Sequence, residues 1–223
     1  MFDLIFPTYC LNCGRSGEYL CTECQKKLER SIPECYICRR ISNRYVTHDQ
    51  CNYYGINSLF VGWRYNTVAR KIISQFKYKY SYSLAEIISE LFIKRIKETG
   101  FVNQMDKGSL LIPMPIHKKH FLDRGFNQSL LIAENIAKEF SLQIINDVLY
   151  RTGSSKYQAK STVEERRNLK DIFYLKKELL NKNIIILDDV ITTGATINNA
   201  AKLLKGNNIK VLTLFRGKPR YLQ

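Results

Sequence analysis

A chain of 223 residues is long enough to bury one α/β core of ordinary size with a small appendage, and too short for two large domains. Apolar residues make up 45% with no low-complexity block, which excludes a largely disordered chain; no apolar run is long enough to span a bilayer, and residues 1–7 lack the basic start and long apolar stretch of a secretion signal, so a cytoplasmic location is expected. The 35 Lys and Arg against 20 Asp and Glu give a formal net charge of +15, a field that attracts nucleic acid, nucleotides or a phosphorylated substrate, although lysines spread over helix faces also make ordinary solvated surface.

All 7 cysteines lie at or before Cys51, which sets the first expected boundary: a cysteine-rich module over residues 1–55 and a main domain over 56–223. Cys10 with Cys13, Cys21 with Cys24, and Cys35 with Cys38 have C-x-x-C spacing, and His48 with Cys51 has H-x-x-C. Two intervening residues let a tight turn aim both ligands at one tetrahedral ion, and two such knuckles close a four-ligand zinc site. Cys10, Cys13, Cys21 and Cys24 are expected to hold one structural Zn2+; Cys35, Cys38, His48 and Cys51 are expected to hold a second, an imperfect repeat of the first. The alternative for the first group is buried or redox thiols, and for the second a polar loop histidine beside a buried Cys51. A closed four-ligand site has no open position for substrate, so its role is structural rather than hydrolytic.

Beyond Cys51 the pattern becomes one of strands and helices in turn. Leu59, Val61 and Trp63 alternate through a strand at residues 59–65, and Asn66 caps a helix with Val68, Ile72, Ile73 and Phe76 on one face. The next stretch, Phe76 to Tyr82, interleaves Lys77, Tyr78, Lys79 and Tyr80, a composition that suits phosphate neutralisation and base stacking on single-stranded DNA, or a basic loop whose tyrosines pack inward. Leu84, Ile87, Ile88 and Leu91 mark a helix that stops at Gly100; residues 110–112 are a buried strand ended by Pro113; residues 127–140 read as a helix with Leu130, Ala133 and Ala137 inward. Residues 184–187 and 211–214 supply two more strands around a helix at 196–204. Alternation at this spacing implies a mostly parallel sheet with helices on both faces.

One strand ends in unusual chemistry. The run IIILDDVITTGAT, residues 184–196, places Asp188 and Asp189 after four apolar residues and before a small, hydroxyl-rich loop that opens into a helix. Such a loop offers backbone N–H groups and the positive end of a helix dipole to a phosphate, with Thr192, Thr193 and Thr196 as further donors and Gly194 permitting close approach. The paired carboxylates can accept ribose hydroxyls or hold a metal-bound sugar. The plainer reading is a turn pair followed by an ordinary capping cluster.

This run resembles the signature loop of type I phosphoribosyltransferases. The whole chain is similar to the ComF family of competence proteins, through the cysteine pairs, IPMPIHKKHFLDRGFNQ at 112–128, the stretch 151–168 and the signature loop. The resemblance implies a type I phosphoribosyltransferase-like α/β fold with an N-terminal zinc module. It implies that Asp188 and Asp189 hold ribose hydroxyls while Thr192, Thr193, Gly194, Ala195 and Thr196 wrap the 5-phosphate of phosphoribosyl pyrophosphate bound with Mg2+. It places His117 and Lys118 in a pyrophosphate loop, with Arg124 at the next helix, and Arg151 and Lys156 in a hood over substrate. Thr192 stands where purine-salvage relatives carry a third carboxylate, which argues against a purine acceptor and leaves the acceptor, and catalysis itself, open. The family further implies a role in DNA uptake during natural transformation, binding to single-stranded DNA, and work beside a DNA-translocating ATPase. The alternative is an active phosphoribosyltransferase of nucleotide metabolism. The chain has no G-x-x-x-x-G-K-[ST] run, so ATP-driven translocation would come from that partner.

Overall fold

The computed structural model describes residues 8–76, 81–151 and 173–217. Its centre is a five-stranded sheet of β1 (Ile56–Arg64), β2 (Leu110–Pro113), β3 (Gln143–Ile144), β6 (Asn183–Ile191) and β7 (Asn208–Arg216). The strand order is β1-β7-β6-β2-β3, and every neighbouring pair is parallel. A separate antiparallel ribbon joins β4 (Leu149–Arg151) to β5 (Phe173–Leu175). The helices among the described residues are α1 (Thr22–Gln25), α2 (Thr67–Gln75), α3 (Ser81–Glu98), α4 (Lys118–Arg124), α5 (Gln128–Phe140) and α6 (Ala195–Leu203).

The apolar run of β6 is continuous because both of its faces are covered. Ile185 and Leu187 face one layer with Leu111, Leu212 and the inner sides of α2, α3 and α5. Ile184 and Ile186 face the other with Ile112, Val211 and Ile197, Ala200 and Ala201 of α6. The sheet with helices on both faces is therefore as the alternation implied. Asn66 caps α2 through its side chain, accepting from Ala69 N at 3.1 Å, and Asn127 caps α5, accepting from Ser129 N at 3.0 Å.

Three local expectations change. β6 does not stop at Leu187 but carries Asp188 and Asp189 within its strand, because its pairing with β7 continues through Val190–Phe215 and Ile191–Arg216. On α5 the inward face is Leu131, Ile132, Ala133, Ile136 and Ala137, while Leu130 is only half-buried. The basic stretch after Pro115 contains a helix, α4, capped by His117 and ended by Gly125 at φ 78°.

The N-terminal segment lies along the free edge of β1. Arg64 N donates to Glu29 O at 2.8 Å and Thr47 N to Asn57 O at 2.8 Å, so backbone groups left open by the last strand are paired. Tyr45 contributes to the attachment: its ring meets Phe60 at 5.0 Å and Phe101 at 6.0 Å between centroids, and all three rings are fully buried. Burial of one such ring contributes about 1.5–3 kcal/mol.

Candidate functional site

The cysteine pairs form two clusters built on one backbone pattern. In the first, Cys10 N donates to Arg15 O at 2.8 Å and Gly14 N to Cys10 O at 2.8 Å; in the second, Cys35 N donates to Arg40 O at 2.9 Å and Arg39 N to Cys35 O at 3.0 Å. The residue after the second cysteine is left-handed in both, Gly14 at φ 77° and Arg39 at φ 64°. Ligand atoms of Cys10, Cys13, Cys21 and Cys24 lie within 4.8 Å of one another, as do those of Cys35, Cys38, His48 and Cys51. Cys13 and Cys21 sulfurs are 3.6 Å apart, and Cys38 Sγ lies 3.3 Å from His48 Nδ1. A tetrahedral ion with ~2.3 Å bonds to sulfur needs ligands roughly 3.5–4 Å apart, so both clusters fit one.

The thiols respond to the crowding in opposite directions. Burial pushes Cys10 up, but backbone hydrogen bonds around Cys13, Cys21 and Asn12 outweigh it and bring the thiol down to about 6. Hydrogen bonds from Arg40 bring Cys38 down to about 6, while burial, with the neighbouring Cys38 and Cys35, pushes Cys51 up to about 11. The four thiols of the first cluster, and the three of the second, cannot all ionise this close together without a cation among them.

The other site is a cleft of about 730 Å³ where the carboxyl ends of the parallel strands converge. β1 leads into it through Tyr65, β2 through Met114 to His117, β6 through Asp188, Asp189 and Thr192, and β7 through Gly217; Thr196, Arg124 and Arg151 complete the charged and hydroxyl lining. Asp188 and Asp189 are half-buried on its floor, where Asp188 Oδ1 accepts from Asp189 N at 3.0 Å and Asp189 Oδ1 from Val190 N at 2.7 Å. Burial pushes the Asp188 carboxyl well above the ordinary carboxylate range and the adjacent Asp189 charge adds to that, while Arg151 pulls the other way. Burial raises Asp189 as well.

After the strand the loop turns at Gly194, φ 84°, and opens α6, whose first N–H, that of Ala195, donates to Thr193 Oγ1 at 3.3 Å. Thr192, Thr193 and Ala195 are exposed, Thr196 is half-buried and Gly194 is buried, so hydroxyls and first-turn N–H groups project from a fixed turn. Across the cleft, His117 Nδ1 accepts from Lys119 N at 3.1 Å, which puts the proton of the neutral ring on Nε2; that atom is buried and has no hydrogen-bond partner among the described residues.

The structure thus brings Asp188, Asp189, Thr192, Thr196, His117, Arg124 and Arg151 around one space. Lys118 is exposed on α4 and does not line it, and Thr193, Gly194 and Ala195 form the turn without lining the wall. Lys156 of the expected hood, and Lys77, Tyr78, Lys79 and Tyr80, lie outside the described residues. Tyr65, Ile73, His120 and Gly217 line the cleft without having been expected there. His120 is the one with a local signal, three residues after His117 with ring centroids 6.0 Å apart.

The family model of the phosphoribosyl transferase domain matches residues 127–218. Competence protein F of Haemophilus influenzae is 26% identical over 213 residues, covering 90% of this chain and 92% of that one. Competence protein ComFC of Bacillus subtilis is 30% identical over 216 residues, covering 91% and 86%. DNA utilization protein YhgH of Escherichia coli O157:H7 is 28% identical over 137 residues, covering 61% and 60%. Because the likeness to ComFC takes in 91% of this chain at 30% identity, the chain belongs to the ComF family of competence proteins.

Proposed function

We propose that the chain binds phosphoribosyl pyrophosphate, with magnesium, in the cleft between β2 and β6 and serves the uptake of DNA in natural transformation. One observation carries the ligand: an acidic pair and the N-terminal end of α6 share a cleft with His117, Arg124 and Arg151. The 5-phosphate sits on the loop 192–196, taking backbone N–H groups and threonine hydroxyls. Asp188 and Asp189 accept the ribose hydroxyls, and ligand binding together with magnesium relieves the mutual repulsion that raises their proton affinity. The Nε2–H of His117 and the guanidinium groups of Arg124 and Arg151 face the pyrophosphate. Magnesium bound there would shield the pyrophosphate charge, and Asp188 and Asp189 would hold it. Zn2+ in the two cysteine clusters is structural, since four protein ligands close each site.

The names of the relatives, competence protein and DNA utilization protein, support the DNA-uptake reading. Single-stranded DNA is the matching partner for a chain of net charge +15, with Lys77, Tyr78, Lys79 and Tyr80 as the stretch that would stack and neutralise it. A DNA-translocating ATPase is the second partner. The competing reading is ribosyl transfer to an acceptor other than a purine, since Thr192 leaves the signature loop without the third carboxylate that would act as base toward a purine.

Calorimetric titration of phosphoribosyl pyrophosphate with magnesium into the metal-loaded protein and into a folded Asp188→Ala, Asp189→Ala variant tests the ligand. Saturable binding that the variant loses is expected. Absence of wild-type binding would mark the cleft as a repurposed scaffold.

A further inference from the structure

The two knuckles share their backbone pattern but differ at one position. The left-handed turn residue that follows the second cysteine is Gly14 in the first and Arg39 in the second. Glycine takes that conformation freely, whereas an arginine there costs about 1 kcal/mol. Backbone strain of this kind persists where a side chain has work to do. The Arg39 guanidinium reaches 153 positions along the chain, Nη2 donating to the carbonyl oxygen of Thr192 at 2.9 Å.

Its neighbour in the knuckle makes the same connection. Tyr36 is 3% exposed, and a Cβ placed on Gly194 would stand 3.6 Å from Tyr36 Cε2, so the ring lies against the turn of the phosphate loop. The Tyr36 hydroxyl donates to Asn198 Oδ1 at 3.0 Å on the second turn of α6, and the Tyr36 carbonyl accepts from Arg216 Nη2 at 2.6 Å at the end of β7. Arg216 is itself buried, with Nε 3.0 Å from Glu34 Oε1, an ion pair that ties the residue before Cys35 to the same strand end. Burial brings the Arg216 guanidinium down to about 10, still far above neutrality.

We propose that the second metal cluster is a positioning device for the ribose-phosphate loop: Tyr36 and Arg39, held by the knuckle that Cys35 and Cys38 close, fix the carbonyl of Thr192 and the turn at Gly194 so that the loop's N–H groups face the phosphate. This rests on the phosphate-binding reading of the loop above. Neither residue lines the cleft, so both act through the loop rather than on the ligand. The coupling is reciprocal: an occupied cluster tightens anion binding, and a bound anion tightens metal binding at Cys35, Cys38, His48 and Cys51 by the same energy. The first cluster packs against the α2–α3 layer, where Lys71 Nζ donates to Asn12 O at 2.7 Å, and has no such connection among the described residues.

The test uses the metal-loaded full chain, the variants Arg39→Gly and Tyr36→Phe, and ribose 5-phosphate as probe. Arg39→Gly copies the first knuckle and removes the strain, so it is expected to keep both metal ions and melt no lower than wild type. Its affinity for ribose 5-phosphate should fall about five- to tenfold, the loss of one or two hydrogen bonds to an ordered loop. Amides of residues 192–198 should exchange faster in the ligand-free variant. In wild type, ribose 5-phosphate should slow chelator-driven release of the second ion and not of the first, an effect that Arg39→Gly and Tyr36→Phe diminish. Unchanged amide exchange and unchanged affinity in both variants would overturn the proposal. If wild type binds no ribose 5-phosphate, the phosphate reading fails, and amide exchange alone decides: faster exchange in the variants keeps the bracing role, and equal exchange removes it.

Discussion

Replacing Asp188 with asparagine removes a charge while keeping the shape of the cleft floor. Burial and the neighbouring Asp189 push the Asp188 carboxyl well above the ordinary carboxylate range in the fold. A carboxyl with a raised folded pKa binds its proton more tightly folded than unfolded. Its contribution to stability is complete below the unfolded value near pH 4 and is lost as pH rises through the folded value. At neutral pH the ligand-free protein therefore carries a penalty that Asp188→Asn removes. Each unit of upward shift corresponds to about 1.4 kcal/mol, and contact with water in the cleft trims the effect; a gain of about 1 kcal/mol, or ~2–4 °C in Tm, follows for a chain of this size. Asparagine Oδ1 keeps the acceptor that Asp189 N uses at 3.0 Å, so that N–H is not orphaned, and the new amide N–H groups can reach water in the cleft. Melting curves of the metal-loaded proteins between pH 3.5 and pH 8, with and without ribose 5-phosphate, read both halves of the argument. The variant should melt higher at pH 7, converge with wild type near pH 4, and lose most of the ligand-induced rise. A variant that melts lower at pH 7 would show that attraction from Arg151 outweighs burial, and would refute the reasoning.

Two glycines separate strain from space. Gly194→Ala has room, with its nearest neighbours 3.6 Å away, so its cost is the left-handed backbone at φ 84°, about 1–2 kcal/mol, together with weakened ribose 5-phosphate binding by calorimetry. Gly62→Ala has no such strain but would put Cβ 2.8 Å from Phe92 Cδ2 and 3.0 Å from Leu214 O; overpacking of about 1–3 kcal/mol should lower the denaturant midpoint while ligand affinity stays as in wild type. Cys24→Ser and Cys51→Ser should each remove one metal ion of the two, read by elemental analysis, and equal metal content in either variant would dismiss that cluster.

What the sequence revealed was local chemistry with a fixed period. The run at 184–187 announced a strand covered on both faces, and Asn66 and Asn127 announced their helices, because each signal needs only residues within a turn of it. β3, with two residues, and α4, with seven, were missed, being too short to show a period. Tyr65 and Gly217 reach the cleft only because β1 and β7 are neighbours with strand ends on one side, a fact of topology that no local pattern carries. The contact of Arg39 with Thr192 is of the same kind, although the departure from Gly14 at the equivalent knuckle position was visible in the sequence.

The placement of the clusters follows from the needs of the sheet edge. β1 is the last strand on its side, and its outward backbone groups are met by residues 29–31 and 46–47 rather than by another long strand. Apart from cysteines, the described residues before Ile56 place only Leu20, Leu28, Tyr36 and Tyr45 in the buried apolar core, too few side chains to hold residues 8–55 in place by burial alone. Metal ligation supplies what that small core lacks, since binding to a site absent from the unfolded segment is itself folding energy. Stripping the metal should therefore detach the segment before the main sheet melts, and leave an open, apolar-flanked strand edge. Chelator-treated protein should show self-association by light scattering under conditions where the sheet's circular dichroism persists, reversed by restoring zinc. If the stripped protein stays monomeric and melts where the loaded protein does, the edge is held by Tyr45 and the backbone pairs alone, and the clusters serve the cleft rather than the fold.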